Sequence, residues 1–149
     1  MYTDPRVVRQ VNESFVPVRA HVKDNAAAFK QLGDRYGAHW TPTILTLDAN
    51  GEERHRIEGF LPADDFQPQL RLGAAHAAFT NGDYQTAARL FDQILKEHAS
   101  IDAAAEAQYW AGVSRYKATN DPSALKETAG QFGERFQDTS WAKKASVWR

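Results

Sequence analysis

Trp40-Thr41-Pro42-Thr43-Ile44-Leu45-Thr46-Leu47 is the stretch on which the fold of this chain turns. Residues 43–47 form a β-branched and aliphatic run, the strongest strand signal in the sequence. A proline stands just before it, where the missing amide hydrogen costs no ladder bond. Asp48-Ala49-Asn50-Gly51 follows, and the Asn-Gly pair favours a tight hairpin into a second strand over residues 53–58. Ile44, Leu45 and Leu47 are too apolar for a solvated edge, so the first strand asks for a neighbour on each side.

Upstream, β-like and helical stretches alternate, which is the grammar of an α/β fold. Asp4-Pro5 opens a helix with a capping acceptor and a proline at the first helical position, and Val7, Val8 and Val11 share a face. Residues 15–22 (Phe15-Val16-Pro17-Val18-Arg19-Ala20-His21-Val22) alternate with a period of two and read as a strand that lies at an edge or has Pro17 near one end. Asp24 or Asn25 caps a second helix with Phe29, Leu32 and Tyr36 on its apolar side and Gly37 as its left-handed stop. A right-handed crossover through that helix sets residues 15–22 parallel to residues 43–47.

Beyond Leu61-Pro62 everything reads as helix, giving an expected α/β part at 1–61 and an all-α part at 62–149. Asp64 or Asp65 caps a helix with Phe66, Leu70, Gly73, Ala74 and Ala77 on one face, Pro68 falling in its first turn. Asp83 caps the next, where Tyr84, Ala87, Ala88, Phe91, Ile94, Leu95 and His98 make an apolar stripe. Asp102 starts a third with Tyr109, Gly112, Val113 and Tyr116 inward, and Asp121-Pro122 a fourth with Leu125, Ala129, Phe132 and Phe136. Ser140 precedes a fifth that aligns Trp141, Ala145 and Trp148.

Composition narrows function. With 42% hydrophobic and 25% charged residues the chain is of the soluble globular type, and its net charge of −1 argues against a nucleic-acid partner, which needs a concentrated basic face. No apolar run reaches membrane-spanning length, and Met1 to Arg6 lacks the pattern of a secretory signal, so a cytoplasmic chain is the default expectation. There is no cysteine, hence no disulfide, thiolate nucleophile or thiolate metal ligand in these 149 residues. The five histidines show no metal-binding helical spacing; His98 suits a helix C-terminus, and His39 alone lies beside the proline loop. The serines lack a nucleophile elbow, the glycines punctuate turns, Asp64-Asp65 and Glu52-Glu53 read as a cap and a turn, and Tyr109, Trp110, Trp141 and Trp148 as helix-crossing filler. The expectation is no catalytic residue, no metal and no cofactor.

Taken in order, Asp4-Pro5-Arg6-Val7, Asn12-Glu13-Ser14-Phe15-Val16-Pro17-Val18, Tyr36-Gly37, Thr41-Pro42-Thr43, Asn50-Gly51 and Glu58-Gly59-Phe60 resemble the thioredoxin superfamily over residues 4–70. The resemblance implies that Pro42 is preceded by a cis bond, that this loop opposes the redox cysteines, and that the backbone before it pairs with extended substrates. His39, Trp40, Thr41 and Pro42 are therefore the candidate peptide-binding residues. The family begins with a central strand and a C-x-x-C motif, which the matching residues here do not include. Either these residues are part of an oxidoreductase whose motif lies upstream of Met1, or the gap is closed by residues 15–22, by another chain, or by nothing.

A second resemblance lies in the tail. Ala75, Ala78, Gly82-Asp83-Tyr84, Ala87 and Phe91 look like one tetratricopeptide repeat. Ala111-Gly112, Tyr116, Asn120-Asp121, Ala124 and residues 135–142 resemble a more divergent second. The expected function is thus a non-catalytic, thioredoxin-like and tetratricopeptide-like interaction or scaffold module with a protein or peptide partner. The alternative is the C-terminal portion of a thioredoxin-family thiol–disulfide oxidoreductase.

Overall fold

A computed structural model describes residues 2–97 and 100–149 of the chain, the side chain of Ile101 apart. Helix α1 (Pro5–Ser14) starts as expected, the Asp4 carboxylate accepting from the Arg6 N–H at 2.9 Å. Helix α2 (Ala26–Tyr36) leads to strands β1 (Thr43–Leu47) and β2 (Glu53–Glu58), and five helices follow: α3 (Ala63–Thr80), α4 (Tyr84–Lys96), α5 (Ile101–Thr119), α6 (Ser123–Gln131) and α7 (Ser140–Ala145), with a closing 3-10 turn at Ser146–Trp148. No helix among the described residues is long and apolar enough to cross a membrane.

The sheet is a two-stranded antiparallel hairpin with Ile44 opposite Ile57 and Thr46 opposite His55. Its turn is wider than the Asn-Gly pair suggests. Asp48 organises it, accepting from the Asn50 and Glu52 amides at 2.8 and 3.1 Å while its other oxygen holds Arg54 at 2.7 Å. The Arg54 hydrogen bond foremost, with those amides, draws the Asp48 carboxyl below the usual range.

Residues 15–22 do not form the expected strand, and the parallel pairing with β1 is absent. Val16 and Val18 are 92% and 83% exposed. A strand persists only where a neighbour takes its backbone groups and a packed face takes its side chains. Helix α2 supplies no such face: Gly33 is its one buried residue, and Leu32, expected inward, is exposed. Val8 also departs from expectation at 43% exposure, because the stripe Val7, Val11 and Phe15 is the one that meets the sheet.

Two cores result, and α3 serves both. Val7, Ile57, Phe66 and Leu70 form the smaller, while Leu72 and Ala75, on the other side of α3, belong to the larger. This is why α3 buries more than the single face expected, and Pro62 rather than Asp64 or Asp65 is its N-cap. Asp64 instead accepts from Arg6 at 2.7 Å. The larger core gathers Phe91 and Ile94 of α4, alanines of α5, and Phe132, Phe136, Ala142 and Ala145. Helix α5 buries Ala103, Ala104, Ala105, Ala107, Ala111 and Ser114 around most of its circumference, so Tyr109, Val113 and Tyr116 are half-buried rather than innermost. Phe132 and Phe136 fall just past the end of α6 but are buried as expected. His98 lies outside the described residues.

Candidate functional site

The loop 37–42 is built from its two ends. At the first, Gly37 caps α2 in the left-handed region, and the chain doubles back so closely that a Cβ on Gly33 would lie 2.8 Å from the Ala38 carbonyl oxygen. Arg56 of β2 reaches across to the same helix end, donating to the carbonyls of Tyr36 and Gly37. Those carbonyls have no partner within the helix, and a cation there also meets the negative end of its dipole. Glu53 and Glu58 hold the guanidinium from β2 at 2.7 and 3.0 Å, and these bonds raise the Arg56 pKa further. The Tyr36 hydroxyl donates to the Gly51 carbonyl at 2.7 Å, tying α2 to the hairpin turn.

At the second end, the Thr41–Pro42 peptide bond is cis. The Thr43 hydroxyl donates to the Trp40 carbonyl at 2.6 Å, and the Gly59 amide to the Pro42 carbonyl at 2.8 Å. The loop is thereby fixed to both strands while its side chains face outward: Trp40 is 70% exposed and Phe60, next to Gly59, 68%. His39 and Thr41 are exposed too. All four candidate residues thus lie in one short, backbone-anchored segment, and β1 leaves it with one side unpaired among the described residues. Such an edge can accept an added strand through its backbone N–H and C=O groups. Nothing in the loop is a nucleophile paired with a base.

Residues 1–74 match the family described as thioredoxin-like domain. The thioredoxin-like part thus runs from α1 through the hairpin into α3. A curated relative, the thiol:disulfide interchange protein DsbD of Photorhabdus laumondii, is 32% identical over 72 residues, which make up 47% of this chain and 12% of the relative. The chain thus spans about an eighth of that protein's length. No solved structure matches the chain.

Arg56 is the anchoring residue that sequence reasoning missed, while Asp48 was read only as part of the turn. Asp48 had a signal, an aspartate two residues before Asn50; the reach of Arg56 to α2, 20 residues back, had none. A histidine pair was missed for the same reason. His55 of β2 stacks against His76 of α3 with ring centroids 6.3 Å apart; His55 bonds Gln69 at 2.6 Å and His76 bonds Glu106 of α5 at 2.8 Å. Burial, above the Gln69 bond and nearby charges, lowers the His55 pKa. No group of three or more histidine or acidic residues among those described is placed to hold a metal ion. Tyr109 joins three tryptophans against the larger core, Trp110 edge-on, Trp141 at a tilt and Trp148 stacked at 4.7 Å.

Proposed function

We propose that this chain is the strand-accepting part of a thioredoxin-type thiol–disulfide exchange domain, and that the free side of β1 takes a cysteine-bearing strand supplied by polypeptide beyond these residues. The observation that carries the reading is the unpaired side of β1 beside an anchored, outward-facing loop at His39, Trp40, Thr41 and Pro42. The match to part of a thiol:disulfide interchange protein supports it. In this reading the chain aligns an extended segment by backbone bonding, with Trp40 and Phe60 giving it apolar contact, and the cysteines arrive on the added strand. The chain alone supplies no thiolate.

Reconstitution tests this. The purified chain is mixed with a synthetic peptide carrying an apolar strand of about six residues followed by Cys-x-x-Cys, and reduction of insulin disulfides by dithiothreitol is followed. Chain alone should match the buffer blank, peptide alone should be slow, and the mixture should exceed both. A mixture no faster than the peptide would sink the exchange reading.

A second reading has its own observation: 149 residues without a cysteine, ending in a run of packed helices. Here the chain is a non-catalytic module for an extended protein segment. Its tail is a tetratricopeptide-like array in which Ala87 and Phe91, and Gly112 against Thr128, make the close helix crossings such repeats use. Binding a cysteine-free strand as tightly as the cysteine-bearing one, with no turnover from either, would favour it. In both readings the partner is polypeptide, and the thioredoxin-like part extends past residue 61 into α3.

A further inference from the structure

A groove of about 510 Å³ opens between α1, α3 and α4, well separated in sequence from the proline loop. Four arginines line it, Arg6 and Arg9 from α1, Arg71 from α3 and Arg89 from α4, against one carboxylate, Glu13. That local excess of positive charge stands out in a chain whose net charge is −1. Arg6 is already held by Asp4 at 2.8 Å and Asp64 at 2.7 Å, and Arg71 by Glu97, so the field in the groove comes from Arg9 and Arg89. The apolar atoms of Phe15, Ala74 and Leu90 complete its lining.

Its inner polar groups are unequally used. The Arg71 side chain is 15% exposed and forms an ion pair with Glu97 at the end of α4. That pair engages Arg71 Nη1 itself, so the guanidinium is already committed to a carboxylate of the protein. Desolvation lowers the Arg71 pKa. Gln10 donates to the Gln67 carbonyl at 3.1 Å, but its buried Oε1 accepts nothing. An unpaired acceptor thus lies in the groove lining. A peptide N–H answers it, whereas a simple anion carries no donor to offer.

We infer that this groove binds an acidic, extended peptide segment, its carboxylates paired with Arg9 and Arg89, a backbone N–H donating to Gln10 Oε1 and an apolar side chain set against Phe15 and Leu90. The inference goes beyond the proposed function and stands or falls apart from it, since the groove shares no residue with β1 or the proline loop.

The test is fluorescence anisotropy of the full chain with a labelled nonapeptide of alternating glutamate and leucine. A lysine–leucine nonapeptide and inorganic phosphate serve as comparison ligands. Binding of the acidic peptide should weaken at least about tenfold between about 0.05 M and about 0.5 M salt. The variant pair Arg9→Glu and Arg89→Glu should weaken it by about tenfold or more at low salt. Both side chains are exposed, so these variants should keep the native circular dichroism spectrum. Equal affinity for the lysine peptide, retained affinity in the folded charge-reversal variants, or phosphate binding as tight as the peptide would each overturn the assignment.

Discussion

Phe66 and Phe91 are both sealed from solvent, at 1% and 0% exposure, yet they sit in cores of different kinds. Around Phe66 the company is thin: Val7, Ile57 and Leu70 are buried with it, and the sheet beside them is two strands with one side open. Around Phe91 three helix layers close in, lined with alanines that let backbones approach. The helical region spends its apolar residues on itself. The thioredoxin-like region leaves Val16, Val18, Trp40 and Phe60 outside, where they are available to something else. Many exposed apolar side chains in one region, against Val147 in the other, are what the proposed binding role would require.

Substitutions can break or sharpen that contrast. The largest effect should come from Phe91→Ala, which empties the centre of the larger core and should cost roughly 3–5 kcal/mol by urea denaturation. A near-neutral result would erase the difference between the two regions. Next comes Gly112→Ala. A Cβ there would lie 2.1 Å from Thr128 Oγ1, so overpacking should cost about 1–3 kcal/mol, with Thr128→Ala restoring part of it in the double variant.

A smaller effect separates the regions by pH. His55, at their junction, has its pKa lowered mainly by burial, against the Gln69 bond and the Glu106 and Glu53 charges, with His76 acting alongside burial. The unfolded chain therefore binds the proton more readily, and stability should rise with pH through that window. The contribution is present above the ordinary histidine range near 6.5 and is lost as pH falls through the lower folded value. His55→Gln should flatten that part of a stability–pH profile; an unchanged slope would assign it elsewhere. The smallest effect is expected at Val18→Asp, within about 0.5 kcal/mol of the parent, since the side chain is 83% exposed. A large loss there would mean that residues 15–22 pack on something after all.

Local chemistry explains how much of this was legible in sequence. Asp4, Gly37, Asp83 and the Asn50-Gly51 turn act within a few residues of themselves, so each helix start or stop could be placed close to its observed position. Phe91 was readable because α4 has one wet face. Helix α5 was not, because a helix enclosed on most sides carries alanines in place of an apolar stripe. The strand expected at residues 15–22 failed for the opposite reason. Its alternation describes a strand that has a neighbour, and no described part of this chain provides one. Of the candidate site, the loop itself was legible and its anchors were not, since Arg56 works across 20 residues of intervening chain.

Helix α3 carries a consequence for how such a protein can be cut and recombined. Its first half roofs the sheet with Phe66 and Leu70, and its second half meets α4 with Leu72 and Ala75, with no linker between the two duties. Gly73 lies at the changeover, seated on Thr46 so tightly that a Cβ would come within 2.4 Å of its hydroxyl. A fragment ending at residue 61 would lose the roof of its own sheet, and a fragment starting there would carry Phe66 and Leu70 uncovered into water. Exchanging these regions would therefore require cutting after α3 or replacing it whole, since the two parts hang on a shared beam rather than as beads on a string.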